Sequence, residues 1–295
     1  MQAKLFTLIS GAISDATERP FTVRNAPRVG GGDINETFCL EGTEGARYFL
    51  KLNEERHHSM FVAEAAGLDA IAATGTLRVP HPIAHGIADG HSYLVLEYLA
   101  LNPRGDARSL GEQLAALHRC SNGQFGFARD NFIGSTPQPN KWTSDWTAFW
   151  REHRLGFQLQ LAAKNGYGGR LQSLGEKLLE TLPVFFAGHA PRPALLHGDL
   201  WGGNHAYLAD GTPTIFDPAA YYGDRECDLA MTELFGGYGA DFHAAYRAAW
   251  PLDDGYAERR DLYNLYHILN HANLFGGGYA RQAEQMMQRL LAATA

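Results

Sequence analysis

The sequence predicts an α+β fold with two lobes, a small β-rich amino-terminal lobe and a larger, mostly helical carboxy-terminal one. Three observations predict it. Residues 21–97 hold short apolar strand patterns separated by turn residues. Helical periodicity dominates from about residue 98 onward. A single short β-like island, Leu195 to Asp217, interrupts those helices. The expected division is 1–97 and 98–295, with the connector at Glu97-Tyr98-Leu99-Ala100-Leu101.

The elements follow in order. Leu5, Leu8, Ile9, Ala12 and Ile13 share one face of an amphipathic amino-terminal helix. Thr37–Leu40 and Tyr48–Leu52 are strand candidates joined by the turn Glu41-Gly42-Thr43-Glu44-Gly45. A helix over 59–73 buries Phe61, Ala65, Leu68 and Ala72, and Gly75 and Pro80 stop it. Strands near 81–86 and 92–97 flank the turn Asp89-Gly90. Leu110, Leu114 and Leu117 set a helix over 109–120, and residues 121–145 read as loop. Helical patterns resume over 144–164, 170–187, 225–236, 256–274 and 279–293.

Composition narrows the function. The chain has 295 residues, is 45% hydrophobic and carries a formal net charge of -7. That charge gives no broad attraction to nucleic acid. Cys39, Cys120 and Cys227 are far apart and form no C-x-x-C pair, which gives no support to a disulfide framework or a structural zinc site. The first residues lack a small-residue cleavage site, and no apolar run nears the ~18 residues a membrane span needs. A reducing cytoplasm and a monomer are expected.

The strongest signal is His197-Gly198-Asp199-Leu200-Trp201-Gly202-Gly203-Asn204, which fits the catalytic loop H-x-D-L-x-x-x-N of kinases. Phosphoryl transfer needs these residue types. A carboxylate, Asp199, aligns the attacking hydroxyl, and a neutral oxygen, from Asn204, suits Mg²⁺. Asp217, at the end of Pro213-Thr214-Ile215-Phe216, stands where the second metal-binding carboxylate belongs. Upstream, Lys51 lies within an apolar strand and Glu64 within an apolar helix; this pair is expected to grip nucleotide phosphates. Gly30-Gly31-Gly32 precedes the first strand, where Gly31 and Gly32 let backbone N–H groups approach phosphates. Backbone groups of the connector Glu97, Tyr98 and Leu99 are placed to meet an adenine edge. His197 is read as a brace for the loop rather than a base, and Asp228 as a hydrogen-bonding partner of the loop backbone.

On these residues the chain resembles the aminoglycoside phosphotransferase-type branch of the protein-kinase-like superfamily. Within it, the chain is most similar to the fructosamine kinase (ketosamine-3-kinase) family. The segments that carry this are Leu114-Ala115-Ala116-Leu117-His118, Phe125-Gly126-Phe127, Asn131–Asn140, Trp142, Asp145-Trp146, Arg151–Gly156, His197–Asn204 and Asp217–Ala230. The resemblance implies a protein-kinase-like bilobal fold with residues 1–97 as the nucleotide-binding lobe and 98–295 as the catalytic and substrate lobe. It implies ATP and Mg²⁺ as cofactors and ketoamines, free or on glycated protein, as substrates. The sugar 3-hydroxyl would be phosphorylated, and loss of the amine from the 3-phosphate would amount to deglycation. In this reading Asp199 is the proton acceptor, Asn204 and Asp217 are metal ligands, and Lys51, braced by Glu64, contacts phosphate. Trp201 and Asp224 are candidates for substrate contact. The alternatives are a kinase of an aminoglycoside, choline, homoserine or a thio-sugar, and a non-catalytic nucleotide-binding pseudokinase.

Overall fold

Residues 2–30 and 34–294 are described by a computed structural model of the chain. Helix α1 (Gln2–Thr17) is followed by β1 (Val23–Asn25), β2 (Glu36–Gly42), β3 (Arg47–Glu54), α2 (His58–Ala72), β4 (Pro82–Ala88) and β5 (His91–Glu97). The five strands form one antiparallel sheet in the order β1-β2-β3-β5-β4. Alternation along β3 divides its side chains between two faces. Leu50 and Leu52 join Phe38, Leu40 and Val95 in a core closed by Leu5, Ile9 and Ile13 of α1. Lys51 points the other way, to the face where α2 packs against β4 and β5.

The remaining elements are α3 (Ala107–Arg119), the hairpin β6 (Asn131–Ile133) and β7 (Thr136–Gln138), α4 (Trp146–Phe149), α5 (Gly156–Lys164) and α6 (Arg170–Phe185). Then come β8 (Ala194–Leu196), β9 (His205–Tyr207), β10 (Pro213–Ile215), β11 (Tyr221–Gly223), α7 (Glu226–Leu234), α8 (Ala240–Ala249), α9 (Tyr256–Phe275) and α10 (Tyr279–Ala293). The pairs β9–β10, β8–β11 and β6–β7 make two-stranded ribbons. The chain divides into two compact units, Met1–Asp106 with Ala206–Asp217, and Ala107–His205 with Pro218–Ala295. In the second unit α9 is the central helix, packed on α5, α7 and α10. No helix among the described residues is long and apolar enough to cross a membrane.

Three features differ from the sequence reading. The loop-like stretch 121–145 holds the β6–β7 hairpin, whose three-residue strands and Pro137 hide it from a periodicity search. The single helix read over 144–164 is broken by a π-helical segment, Trp150–Leu155. Glycine is required where it ends, because a Cβ at Gly156 would sit 2.3 Å from the Arg151 carbonyl oxygen. Helix α8 was not expected at all; its alanine-rich stretch has too few large apolar residues to mark a face.

Candidate active site

In the first unit, β3 carries Lys51 into the interior with only 4% of its surface exposed. A buried ammonium needs partners. It has two: Nζ donates to Glu64 Oε1 of α2 at 2.7 Å and to Asp217 Oδ1 at 2.6 Å. Burial works to discharge Lys51, but the Asp217 and Glu64 carboxylates outweigh it and hold its pKa above the ordinary lysine value. Burial also pushes the Glu64 carboxyl up, against the pull of Lys51. The trio of one cation and two anions carries a net negative charge.

Asp217 reaches Lys51 because its strand is tied to residue 78. The Ile215 N–H and Thr214 Oγ1 both donate to the Arg78 carbonyl, each at 3.0 Å. The backbone then turns into the left-handed region at Asp217, φ +58°, a conformation that side chains other than glycine adopt at a cost. Oδ1 of Asp217 faces Lys51, while the side chain stays 39% exposed. Its second oxygen has no hydrogen-bond partner among the described residues.

The strand end at 97–99 offers backbone groups. The Glu97 N–H already donates to the His81 carbonyl at 2.8 Å, so it is not left for a ligand. Its side chain pairs with Arg78. The Tyr98 ring lies under the Arg47 guanidinium at 4.3 Å. Gly31 and Gly32 lie outside the described residues.

In the second unit, the loop after β8 is built around Asp228 at the start of α7. Its carboxylate accepts the N–H groups of His197 (2.7 Å) and Gly198 (2.8 Å) and contacts His118 Nε2 at 3.1 Å. Burial raises the Asp228 pKa, but the His118 contact and the loop lower it more, so the carboxyl sits below the ordinary aspartate range. Gly198 takes φ +82°, and a Cβ there would lie 2.2 Å from the Ala219 carbonyl oxygen. His197 is fully buried, and its Nδ1 accepts the Asp199 N–H at 3.2 Å. That bond fixes the ring proton on Nε2 and makes His197 a brace. Asn204 Nδ2 donates to the Asp199 carbonyl at 2.9 Å, so its own carbonyl oxygen is the end left to ligate. Oxygen donors of this kind, an amide carbonyl and a half-exposed carboxylate, fit a hard divalent cation.

The substrate candidates part company. Trp201 lies within the loop and is 42% exposed. Asp224 is corrected to a structural carboxylate: it is 1% exposed and saturated by His189 Nε2 (2.7 Å), Tyr263 OH (2.6 Å) and the Glu226 N–H (3.0 Å). Its neighbour Glu226 is held by Arg259 at 2.7 and 3.0 Å, not by Arg225. His118 was missed as part of the site. The signal was present: it ends the apolar stripe Leu110-Leu114-Leu117, where a buried histidine needs a polar partner.

The fructosamine kinase family model matches residues 5–293 of the chain. A Synechocystis sp. protein named "probable ketoamine kinase" is 50% identical, with 96% of each chain covered. The chloroplastic protein-ribulosamine 3-kinase of Arabidopsis thaliana is 42% identical over 89% of this chain and 81% of that one. A solved structure from Haemophilus somnus, described as a "putative fructosamine-3-kinase", superposes with a TM-score of 0.88 at 30% identity, covering 98% of both chains. A solved aminoglycoside phosphotransferase, 15% identical, shares the fold alone at a TM-score of 0.58, covering 97% of this chain and 99% of that one.

Proposed function

Because the chain belongs to the fructosamine kinase family, we propose that it is an ATP-dependent phosphotransferase acting on the sugar 3-hydroxyl of ketoamines. The observation that carries phosphoryl transfer is the Lys51 ammonium held between Glu64 and Asp217. An ammonium kept charged in the interior, beside a half-exposed carboxylate, suits a triphosphate and its counter-ion.

Each residue then has one task. Lys51 donates to phosphate oxygens, and Glu64 keeps it charged and aimed. Asp199 accepts a hydrogen bond from the sugar alcohol, sets it in line and takes its proton as the bond to phosphorus forms. His197 cannot compete for that proton, because its Nδ1 lone pair is engaged by the Asp199 N–H. Asn204 and Asp217 are the proposed oxygen ligands of Mg²⁺. When bound, the cation neutralises charge on the transferring phosphate. The carbonyl of Glu97 and the N–H of Leu99 are the proposed partners of the adenine edge, with Gly31 and Gly32 over the phosphates. Trp201 is the proposed wall for the sugar. Deglycation, action on glycated protein as well as on small ketoamines, a monomeric acting form and a cytoplasmic location belong to the same proposal.

The test is ATP consumption with ribulose- and fructose-lysine against an aminoglycoside and choline, with the phosphorylated position located by ³¹P NMR. Turnover of the ketoamines, with phosphate on O3, is the expected result. Asp199→Asn lowers kcat about 10²–10⁴-fold without shifting the melting temperature. Preference for an aminoglycoside or choline, or parent-rate turnover by Asp199→Asn, overturns the assignment.

A further inference from the structure

Three large apolar side chains of the second unit are exposed. Trp201 is 42% exposed, Phe235 41% and Phe275 59%. The segment carrying Phe235 touches the loop directly: a Cβ on Gly202 would lie 2.7 Å from the Gly236 carbonyl oxygen and 2.9 Å from Gly237 Cα. Phe235 and Trp201 are each one residue away from the glycines that touch.

On α9, His271 is ringed by aromatics. Its ring centroid is 4.9 Å from Phe235, 5.5 Å from Phe275 and 5.1 Å from Tyr279. Its Nδ1 lies 2.7 Å from the His267 carbonyl oxygen. A carbonyl can only accept, so Nδ1 carries a proton there and Nε2 is the ring nitrogen left for another partner. A hydrogen-bond acceptor framed by π-faces is the environment an alkylammonium group recognises.

We propose that His271, Phe235 and Phe275 form the subsite for the amine half of the ketoamine, taking the protonated secondary amine and the alkyl chain beyond it. The inference rests on the kinase reading above and names the part of the substrate that the catalytic loop does not touch. His271 Nε2 accepts from the N–H of the ammonium, and the Phe235 ring faces its charge. The openness of Phe275 lets the chain continue into solvent, as a lysine side chain on a peptide must. A simple sugar alcohol has no group for this subsite.

The experiment measures KM for fructose-lysine and for ATP in the parent, His271→Ala, His271→Gln, Phe235→Leu and Phe235→Trp, with melting temperatures alongside. His271→Ala is expected to raise KM for the ketoamine about tenfold or more, and His271→Gln, which restores an acceptor, to recover part of it. Phe235→Leu, which keeps apolar bulk but loses the π-face, raises KM about 2–5-fold; Phe235→Trp does not. KM for ATP stays at the parent value throughout. Ketoamine KM within twofold of the parent in both His271→Ala and Phe235→Leu, with the parent active, overturns the subsite and leaves the kinase assignment standing. Equal rises in both KM values also overturn it. A parent that turns over no ketoamine overturns both.

Discussion

Lys51→Met removes the charge at the centre of the proposed phosphate site while keeping an unbranched apolar side chain of similar reach. The Lys51 side chain is 5% exposed, and its two carboxylate contacts are 2.7 and 2.6 Å. At an effective dielectric of ~20 each contact is worth roughly 6 kcal/mol before desolvation is counted. Desolvation of the three groups offsets most of that, and removing one partner of a buried pair costs about 3–5 kcal/mol. The Asp217 side chain is 39% exposed, so solvent screens its share to about 1 kcal/mol or less. The cost therefore falls on Glu64, whose side chain is 13% exposed. Burial already pushes its carboxyl up and Lys51 opposes that push, so the loss is expected at about 3 kcal/mol, the low end of that range. Urea unfolding of Lys51→Met and of Lys51→Met/Glu64→Gln measures this, with kcat/KM for ATP in parallel. The single variant is expected to lose about 3 kcal/mol. The double variant regains part of the stability and none of the activity, which falls roughly 10²–10³-fold in both. This differs from the view the isolated strand suggests, in which a phosphate-gripping lysine adds little to folding. A single variant within about 1 kcal/mol of the parent, or a double variant no more stable than the single, refutes the ion-pair reasoning. Retained ATP turnover refutes the phosphate role.

Two further outcomes follow from the same physical accounting. Gly198→Ala places a Cβ 2.2 Å from the Ala219 carbonyl at φ +82°, so it is expected to lower stability by more than about 2 kcal/mol and to abolish turnover; a parent-like unfolding curve would show that the loop has another conformation. Burial lowers the His189 pKa, but its hydrogen bond to Asp224 raises it more, so its folded value lies above the ordinary one. The stability this contributes is complete below the unfolded histidine pKa of about 6.5 and is lost as pH rises through the folded value. Asp224→Asn should flatten the decline in unfolding free energy above about pH 6.5, and an unchanged pH profile would count against the pair.

Much of the candidate site was legible because its residues sit at short, regular intervals. The His197–Asn204 loop is recognisable from spacing alone, and Asp228, thirty-one positions beyond His197, was read as its backbone partner, as the structure has it. The strand alternation that buries Lys51 opposite the Leu50 and Leu52 face is likewise written in the residues themselves. Asp224, a candidate for substrate contact, has partners that no local pattern names. Only packing shows that His189 and Tyr263 close over it. The hairpin β6–β7 and the π-helical turn at Trp150–Leu155 are too short and irregular to leave a period.

The sequence by itself determined which residues are candidates for the chemistry and which local element carries each, because strand and helix periods act over a few residues. Tertiary structure alone decided which distant segments meet. Asp217 reaches Lys51 across 166 positions because residues 206–217 fold with the amino-terminal unit, and His271 meets Phe235 because a helix lies beside a glycine turn. Those meetings depend on how whole faces bury against one another and on where two glycine backbones can touch, and no local pattern in the chain encodes either.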